Sequence, residues 1–323
     1  MAEVVRADSA GLRRAAALLR ADGICAFPTE TVYGLGANAL SPTAIAEIYR
    51  LKERPAWNPL IAHAYDADHA RSLARTWPDL ADVLARRFWP GPLTMVVERA
   101  AHLPGILSAG SATVAIRVPA HPVARALLEE CSLPLAAPSA NRSECLSPTR
   151  AEHVLHSLPE VPLVLEGGSC EFGIESTVLD LTREPPRLLR PGALSLRLLR
   201  EAIGPVDLTT AARDDAQIRS PGMGRRHYAP RARLVVLDEL GPGVLAELKP
   251  PAAVLTYEKP DDRLTGAVSS VEILPDDPQG YAADLYAALH RLDASLVATV
   301  AVLAPPRHED WMAIRDRLRR AAA

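Results

Sequence analysis

Lys52 and Arg54 stand two residues apart at the end of a predicted helix, where they could turn an ammonium and a guanidinium toward one polyanion. Arginine's planar fork suits phosphate oxygens, and lysine acts as a compact point charge. The same pair also reads as helix-terminal cations favoured by the helix dipole. Pro138-Ser139-Ala140-Asn141 leaves a predicted strand with hydroxyl, amide and backbone donors. These could meet a phosphate or a base edge, or make an ordinary turn. Ser147-Pro148-Thr149 reads as a helix N-cap, whose amides offer a further anion site. Glu175-Ser176-Thr177-Val178 and Arg190-Pro191-Gly192 each put polar groups at one end of an apolar strand. Arg117 lies in the apolar run Val114–Val118, on the face it shares with Thr113 and Ala115. A buried arginine there requires a partner, and either an acidic side chain or a carboxylate ligand would serve.

The most informative single stretch is Pro28-Thr29-Glu30-Thr31-Val32-Tyr33-Gly34-Leu35-Gly36. It reads as a polar, glycine-bearing loop between a short buried strand and a helix. No Gly-x-Ser-x-Gly elbow, Walker A loop, Gly-x-Gly-x-x-Gly turn or His-Glu-x-x-His motif occurs. The chain therefore offers several cations and hydroxyls but few candidate bases. Such a set suits positioning and electrostatic stabilisation of phosphoryl chemistry.

The elements that must hold these groups are short. Helices are predicted over 10–21, 41–51, 79–88, 123–130 and 149–157. Strands are predicted over 24–27, 60–63, 93–97, 113–118, 133–137, 163–165 and 177–181. The mixture is irregular, so a mixed sheet is expected rather than a purely parallel one. Residues 204–231 lack an apolar period and read as a linker. A smaller α/β pattern follows, with strands at 234–237, 252–257, 271–274 and 300–303 and helices at 281–292 and 311–322. The expected organisation is a first domain at 1–203, a linker or lid at 204–231 and a second domain at 232–323.

A chain of 323 residues with 48% hydrophobic content can bury sizeable cores, and a net charge of −3 neither requires nor excludes a nucleic-acid partner. No apolar run is long enough for a membrane helix, and the first residues lack a signal peptide's pattern. Four cysteines, without metal spacing or a paired framework, read as reduced thiols of a cytoplasmic protein. The 29 prolines punctuate many short elements rather than mark one disordered tract.

Taken in order, Pro-Thr-Glu-Thr-Val-Tyr-Gly-Leu-Gly (28–36), Lys-x-Arg (52–54), Asn-Pro-Leu-Ile-x-His (58–63), Trp-Pro-Gly-Pro-Leu-Thr (89–94), Val-Ala-Ile-Arg-Val-Pro-x-His-Pro (114–122), Pro-Ser-Ala-Asn (138–141), Ser-Pro-Thr (147–149), Glu-Ser-Thr-Val (175–178) and Arg-Pro-Gly (190–192) resemble the YrdC-like family of threonylcarbamoyl-AMP synthases. The linker motif around His227-Tyr228-x-Pro230 and the later α/β pattern resemble its two-domain form. The resemblance implies a twisted mixed sheet around a large cationic cavity, with a smaller Rossmann-like C-terminal domain. It implies a nucleotidyl transfer in which L-threonine, bicarbonate and ATP give L-threonylcarbamoyladenylate and pyrophosphate. That product feeds a downstream transferase complex acting on adenosine 37 of tRNA. By the same resemblance Thr31, His63, Arg117, Ala137 and Ser176 would hold threonine. Arg54, Asn58, Thr113, Ser139, Asn141, Ser147, Arg190 and Tyr228 would hold ATP, Tyr228 as part of a lid. Lys52 and Arg54 would neutralise the departing pyrophosphate. Magnesium would ride mainly on ATP with no dedicated protein cage, and a weak tRNA contact and no membrane partner are expected.

The chain departs from the family pattern at Arg142–Leu146, where Glu144 replaces a flexible glycine. It departs again at Gly224-Arg225-Arg226, and at Asp310-Trp311-Met312, where relatives tend to be glycine-rich. Two other readings compete. One is a carbamoyl-adenylate-forming carbamoyltransferase of the kind seen in hydrogenase maturation, which usually carries a zinc-finger module that this chain, having no Cys-x-x-Cys, does not show. The other is a non-catalytic RNA-binding module using Arg219, Arg225, Arg226, Arg231 and Arg233.

Overall fold

The computed structural model describes residues 2–208, 227–241, 243, 248–260 and 262–323. Among them an 11-stranded sheet forms the frame of the first unit. From one edge it runs Glu3–Arg6, Leu163–Glu166, Cys25–Phe27, Gly34–Asn38, Leu135–Ala136, Ile61–His63, Thr113–Arg117, Leu93–Arg99, Thr177–Asp180 and Arg187–Arg190, with Ala74–Thr76 paired to Leu93–Arg99. Parallel and antiparallel neighbours are mixed along it, as expected.

Local chemistry explains where the strands begin and end. Residues 28–36 were expected to form a loop leading into a helix. Instead, Gly34–Asn38 is a strand that returns antiparallel to Cys25–Phe27, with Gly36 opposite Cys25. A Cβ at Gly36 would lie 2.6 Å from the Phe27 ring, so only glycine lets the return strand rest on that aromatic. The predicted strand 133–137 contracts to Leu135–Ala136. Pro134 and Pro138 bracket it, and neither has an N–H for the ladder. Glu3–Arg6 and Arg187–Arg190 are edge strands whose charged ends hid them from a hydrophobic reading.

Helix Pro42–Lys52 opens as predicted: Ser41 Oγ accepts from Ala44 N at 3.2 Å and Pro42 takes the first helical position. It closes at Glu53, in the left-handed region at φ 51°, which turns the chain toward Arg54. Apolar side chains cover both sheet faces. One layer gathers Tyr33, Leu35, Ile45, Ile48 and Ile116, and the other Leu19, Phe27, Leu127, Leu128 and Leu135.

Past Ile203 the chain stays on the first unit, because Asp207 bridges Arg187 and accepts from Leu188 N at 2.9 Å. Asp207, within the expected linker, thus lies against the first unit. The linker's arginines 219, 225 and 226 lie outside the described residues.

The second unit has a 4-stranded parallel sheet in the order Arg233–Leu237, Thr299–Leu303, Ala252–Thr256, Ser270–Ile273. Helices Pro278–Ala294 and Met312–Ala321 pack on it. Its apolar core takes in Val32, Leu146 and Ile174 of the first unit, so the two units meet across a continuous hydrophobic seam. At Asp310-Trp311-Met312, where a lost contact was expected, the Trp311 ring instead joins the core, 5.4 Å from that of Tyr281.

Candidate active site

Strands Ile61–His63 and Thr113–Arg117 run parallel with His63 opposite Arg117, which brings an imidazole and a guanidinium to one end of the sheet. The turn of the 25–38 hairpin lies against them. Arg117 Nη1 donates to Thr31 Oγ1 at 2.9 Å and Nε to Gly91 O at 3.3 Å, while Nη2 stands 2.7 Å from Glu30 Oε1. The partner that the sequence left open is therefore Glu30, which is 2% exposed and also accepts from His121 N at 3.3 Å. Burial alone would raise its pKa, but the Arg117 charge beside it holds it below the usual carboxylate range. A guanidinium carries five N–H donors, and Nη2 makes no hydrogen bond among the described residues, so Arg117 retains donors for a carboxylate.

Burial, reinforced by the Arg117 charge, pushes the His63 pKa down to about 3, so the ring is neutral at pH 7. Its Nδ1 has no hydrogen-bond partner among the described residues. Thr31 Oγ1 also shares a hydrogen bond with Thr29 Oγ1 at 2.9 Å. The Ala137 N–H is committed to Ile61 O at 2.9 Å, which leaves only its carbonyl to serve a ligand. The arrangement is a small pocket with a fork for a carboxylate, a hydroxyl and a neutral imidazole.

Ser176 links this end to the next. Its Oγ shares a hydrogen bond with Thr94 Oγ1 at 2.8 Å and accepts from Arg190 Nη2 at 3.1 Å, and its carbonyl accepts from Arg190 Nε and Nη2 at 3.1 and 2.9 Å. Gly192 permits this closeness, because a Cβ there would lie 2.4 Å from Glu175 O. Arg54 donates to Asn58 O, Asn58 Oδ1 and Pro59 O at 2.9, 2.5 and 2.8 Å. Burial lowers its pKa to about 10, which still leaves it charged at neutral pH. Between the two ends lies a cleft with about 450 Å³ not filled by protein atoms, part of it open to solvent.

His227 and Tyr228 border the same cleft. Tyr228 is 1% exposed and sits at φ 62°, a conformation that bulky residues adopt only when their surroundings impose it, at about 1–3 kcal/mol. Ala229 N imposes it from one side by donating to Glu144 O at 2.8 Å. Glu144, where glycine was expected, takes a glycine-like φ of 69° and preserves the turn. Burial also makes the His227 ring neutral, its pKa pushed down to about 3.

Of the residues expected to bind, Thr31, Arg54, His63, Arg117, Ala137, Ser139, Ser176, Arg190 and Tyr228 border the cleft. Five others do not border it. Lys52 is 1% exposed, and its Nζ donates to the carbonyls of Ser139, at 2.6 Å, and Asn141. Burial and the Arg54 charge push its pKa well down. Lys52 thus holds the Ser139 loop from behind. Asn58 holds Arg54, Thr113 Oγ1 is shared with Ser111 Oγ at 2.9 Å, and Asn141 Nδ2 staples its own loop through Arg142 O and Cys145 O at 2.8 Å each. Ser147 Oγ donates to Glu175 at 2.5 Å.

Sequence reasoning assigned no role to Glu30, Glu175 or His227. Their signal was a charged or polar residue inside an otherwise buried motif. Burial opposes charge on Glu175, yet Arg317 and Arg190 hold its pKa below the ordinary carboxylate value.

Comparison with known proteins agrees with this geometry. The Sua5_yciO_yrdC family, described as "Telomere recombination", matches residues 17–192, and "Threonylcarbamoyl-AMP synthase, C-terminal domain" matches 194–323. The threonylcarbamoyl-AMP synthase of Pyrococcus abyssi is 38% identical over 321 residues, covering 96% of this chain and 94% of that protein. That of Bacillus subtilis is 45% identical over 230 residues, covering 70% and 66%. The crystal structure of P. abyssi Sua5 complexed with L-threonine superposes with a TM-score of 0.91 at 36% identity, covering 100% of this chain and 97% of that one. The chain belongs to the threonylcarbamoyl-AMP synthase family, in its two-domain Sua5 form.

Proposed function

We propose that the chain joins L-threonine, bicarbonate and ATP into L-threonylcarbamoyladenylate with release of pyrophosphate, for the N6-threonylcarbamoyl modification of adenosine 37 in tRNA. The observation that carries this reading is the Arg117–Thr31–His63 pocket, in a chain whose full length matches a relative solved with L-threonine. Arg117 would take the threonine carboxylate on its remaining N–H pair. The Ala137 carbonyl would accept from the amine or hydroxyl, and the neutral His63 ring would meet the side chain.

The neutral threonine amine attacks the carbon of bicarbonate, forming the C–N bond of a carbamate as a C–O bond breaks and water leaves, and a carbamate oxygen then attacks the α-phosphorus of ATP while pyrophosphate departs. Arg54 and Arg190 supply charge to the phosphates, and Ser139 supplies a hydroxyl. No residue of the cleft acts as a covalent nucleophile in this scheme; orientation and fixed charge lower the barrier. Tyr228 and His227, at the cleft edge, restrict water around a labile carbamate and mixed anhydride. Magnesium would enter with ATP. The bordering carboxylate, Glu175, is already engaged by Arg317, Ser147 and Tyr286, so the ion's contacts fall to phosphate and water.

A downstream threonylcarbamoyl transferase complex consumes the product, and a weak tRNA contact accompanies hand-over. The chain works in the cytoplasm, and no helix among the described residues is long and apolar enough to cross a membrane. Incubation of the purified protein with ATP, bicarbonate and labelled threonine tests the reading. Threonine-dependent pyrophosphate release is expected, and its absence would refute it.

A further inference from the structure

Arg317 is 1% exposed, on the face of helix Met312–Ala321 that also buries Ala313, Ile314, Leu318 and Ala321. Its Nε donates to Glu175 Oε2 at 2.6 Å and its Nη1 to Asp316 Oδ2 at 3.0 Å. Its Cζ stands 4.9 Å from the centre of the Tyr228 ring. Glu175 in turn accepts from Ser147 Oγ at 2.5 Å and from Tyr286 Oη at 3.2 Å. The same helix offers Arg320 O to His227 N at 3.2 Å. The contacts of Arg317, Tyr286 and Arg320 tie the second unit to Glu175, Tyr228 and His227, which border the cleft.

The seam is already hydrophobic, and a buried ion pair adds little stability where apolar packing would serve as well. What a planar cation adds is direction: it holds a carboxylate through Nε and an aromatic face in one relative orientation. We propose that Arg317 is a positioning residue for the synthase reaction, holding Glu175 and the Tyr228 ring from the second unit so that both keep their places on the nucleotide side of the cleft. The proposal rests on the reading of that side as the ATP site. It assigns the second unit a direct part in the site, whereas the Arg117 hydrogen bonds and ion pair at the threonine end all go to residues of the first unit.

The experiment uses the full-length chain. Arg317→Met keeps much of the volume and removes the charge. It is expected to lower kcat/KM for ATP on the order of 100-fold, the scale that a displaced positioning group costs. Threonine affinity by calorimetry should stay at the wild-type value. Arg317→Lys restores the charge without the fork and should recover only part of the loss. Because Met removes the cation that bonds the buried Glu175, the Glu175→Gln/Arg317→Met double variant serves if the single variant loses its cooperative melting transition. Its ATP defect should match that of Arg317→Met, since the two residues act as one unit.

A folded Arg317→Met protein with wild-type ATP kinetics overturns the proposal. So does a parallel fall in threonine affinity, ATP kinetics and Tm, or loss of the folded state in both variants, since these assign the pair to stability alone. If the wild-type chain releases no pyrophosphate with threonine, the functional reading fails and the positioning role with it. If the wild type is active and Arg317→Met is unchanged, the positioning role alone fails.

Discussion

The cleft has a buried arginine–glutamate pair at each end, and the two pairs differ in where their members come from. Arg117 and Glu30, 2.7 Å apart, both belong to the first unit and are brought together by strand register and a hairpin turn. Arg317 and Glu175, 2.6 Å apart, come from different units and meet only where the second unit docks. On the proposed reading, the pair at the threonine end draws both members from one unit, whereas the pair at the nucleotide end needs the interface between the units.

The largest effect expected from breaking this comparison lies at the self-contained end. Arg117→Met strands Glu30 in the core, and removal of one member of a buried pair costs about 3–5 kcal/mol. Denaturant titration should show that loss, and calorimetry should show no threonine binding. Retained threonine affinity would disprove the assignment of Arg117.

Ser147→Ala probes the other end. It deletes a hydrogen bond to a charged carboxylate, an interaction worth about 1.5–3 kcal/mol. KM for ATP should rise while threonine affinity holds, and a matching drop in threonine affinity would erase the distinction between the ends. Gly36→Ala forces a methyl against the Phe27 ring and should cost about 1–3 kcal/mol of stability, read as a lower Tm. Phe27→Leu in the same chain should return part of it. No change in Tm would show that the hairpin has room to relax.

The smallest effect per step comes from pH. His63 at one end and His153 and His227 at the seam have pKa values pushed to about 3, chiefly by burial. Unfolded, these rings titrate near 6.5. Below that value the unfolded chain binds protons that the native chain refuses, so stability falls as pH falls. Each ring contributes a slope of up to about 1.4 kcal/mol per pH unit. Glu30 and Glu175, whose pKa values are depressed, lose their contribution only below the ordinary 4.5, so the histidines dominate between pH 6.5 and 5. Urea titrations across that interval check the slope. A flat profile would mean that the rings take up protons in the native state.

Much of the fold was legible because helix ends carry local chemistry. Ser41-Pro42 began a helix and Trp89-Pro90 followed another, as read. The hairpin at 25–38 was missed because its glycines read as loop, when they are needed for a strand lying on an aromatic ring. Lys52 shows the limit for the site: its charge and spacing suggested a phosphate contact, and the fold spends it on two backbone carbonyls. Arg317 had a signal, since it falls on the helical period of Ala313, Ile314 and Ala321. A cation on an apolar stripe has a buried partner, but periodicity does not say which one.

The sequence by itself determined the family, the residue types at the cleft and most of the short elements, because motifs and caps are properties of neighbouring residues. Tertiary structure alone decided that Glu30 answers Arg117, that Arg317 crosses the seam to Glu175 and that Lys52 turns inward. Those outcomes depend on which distant groups share a buried space. There an unpaired charge is too costly to keep, so every cation is claimed by the nearest carbonyl or carboxylate the fold supplies.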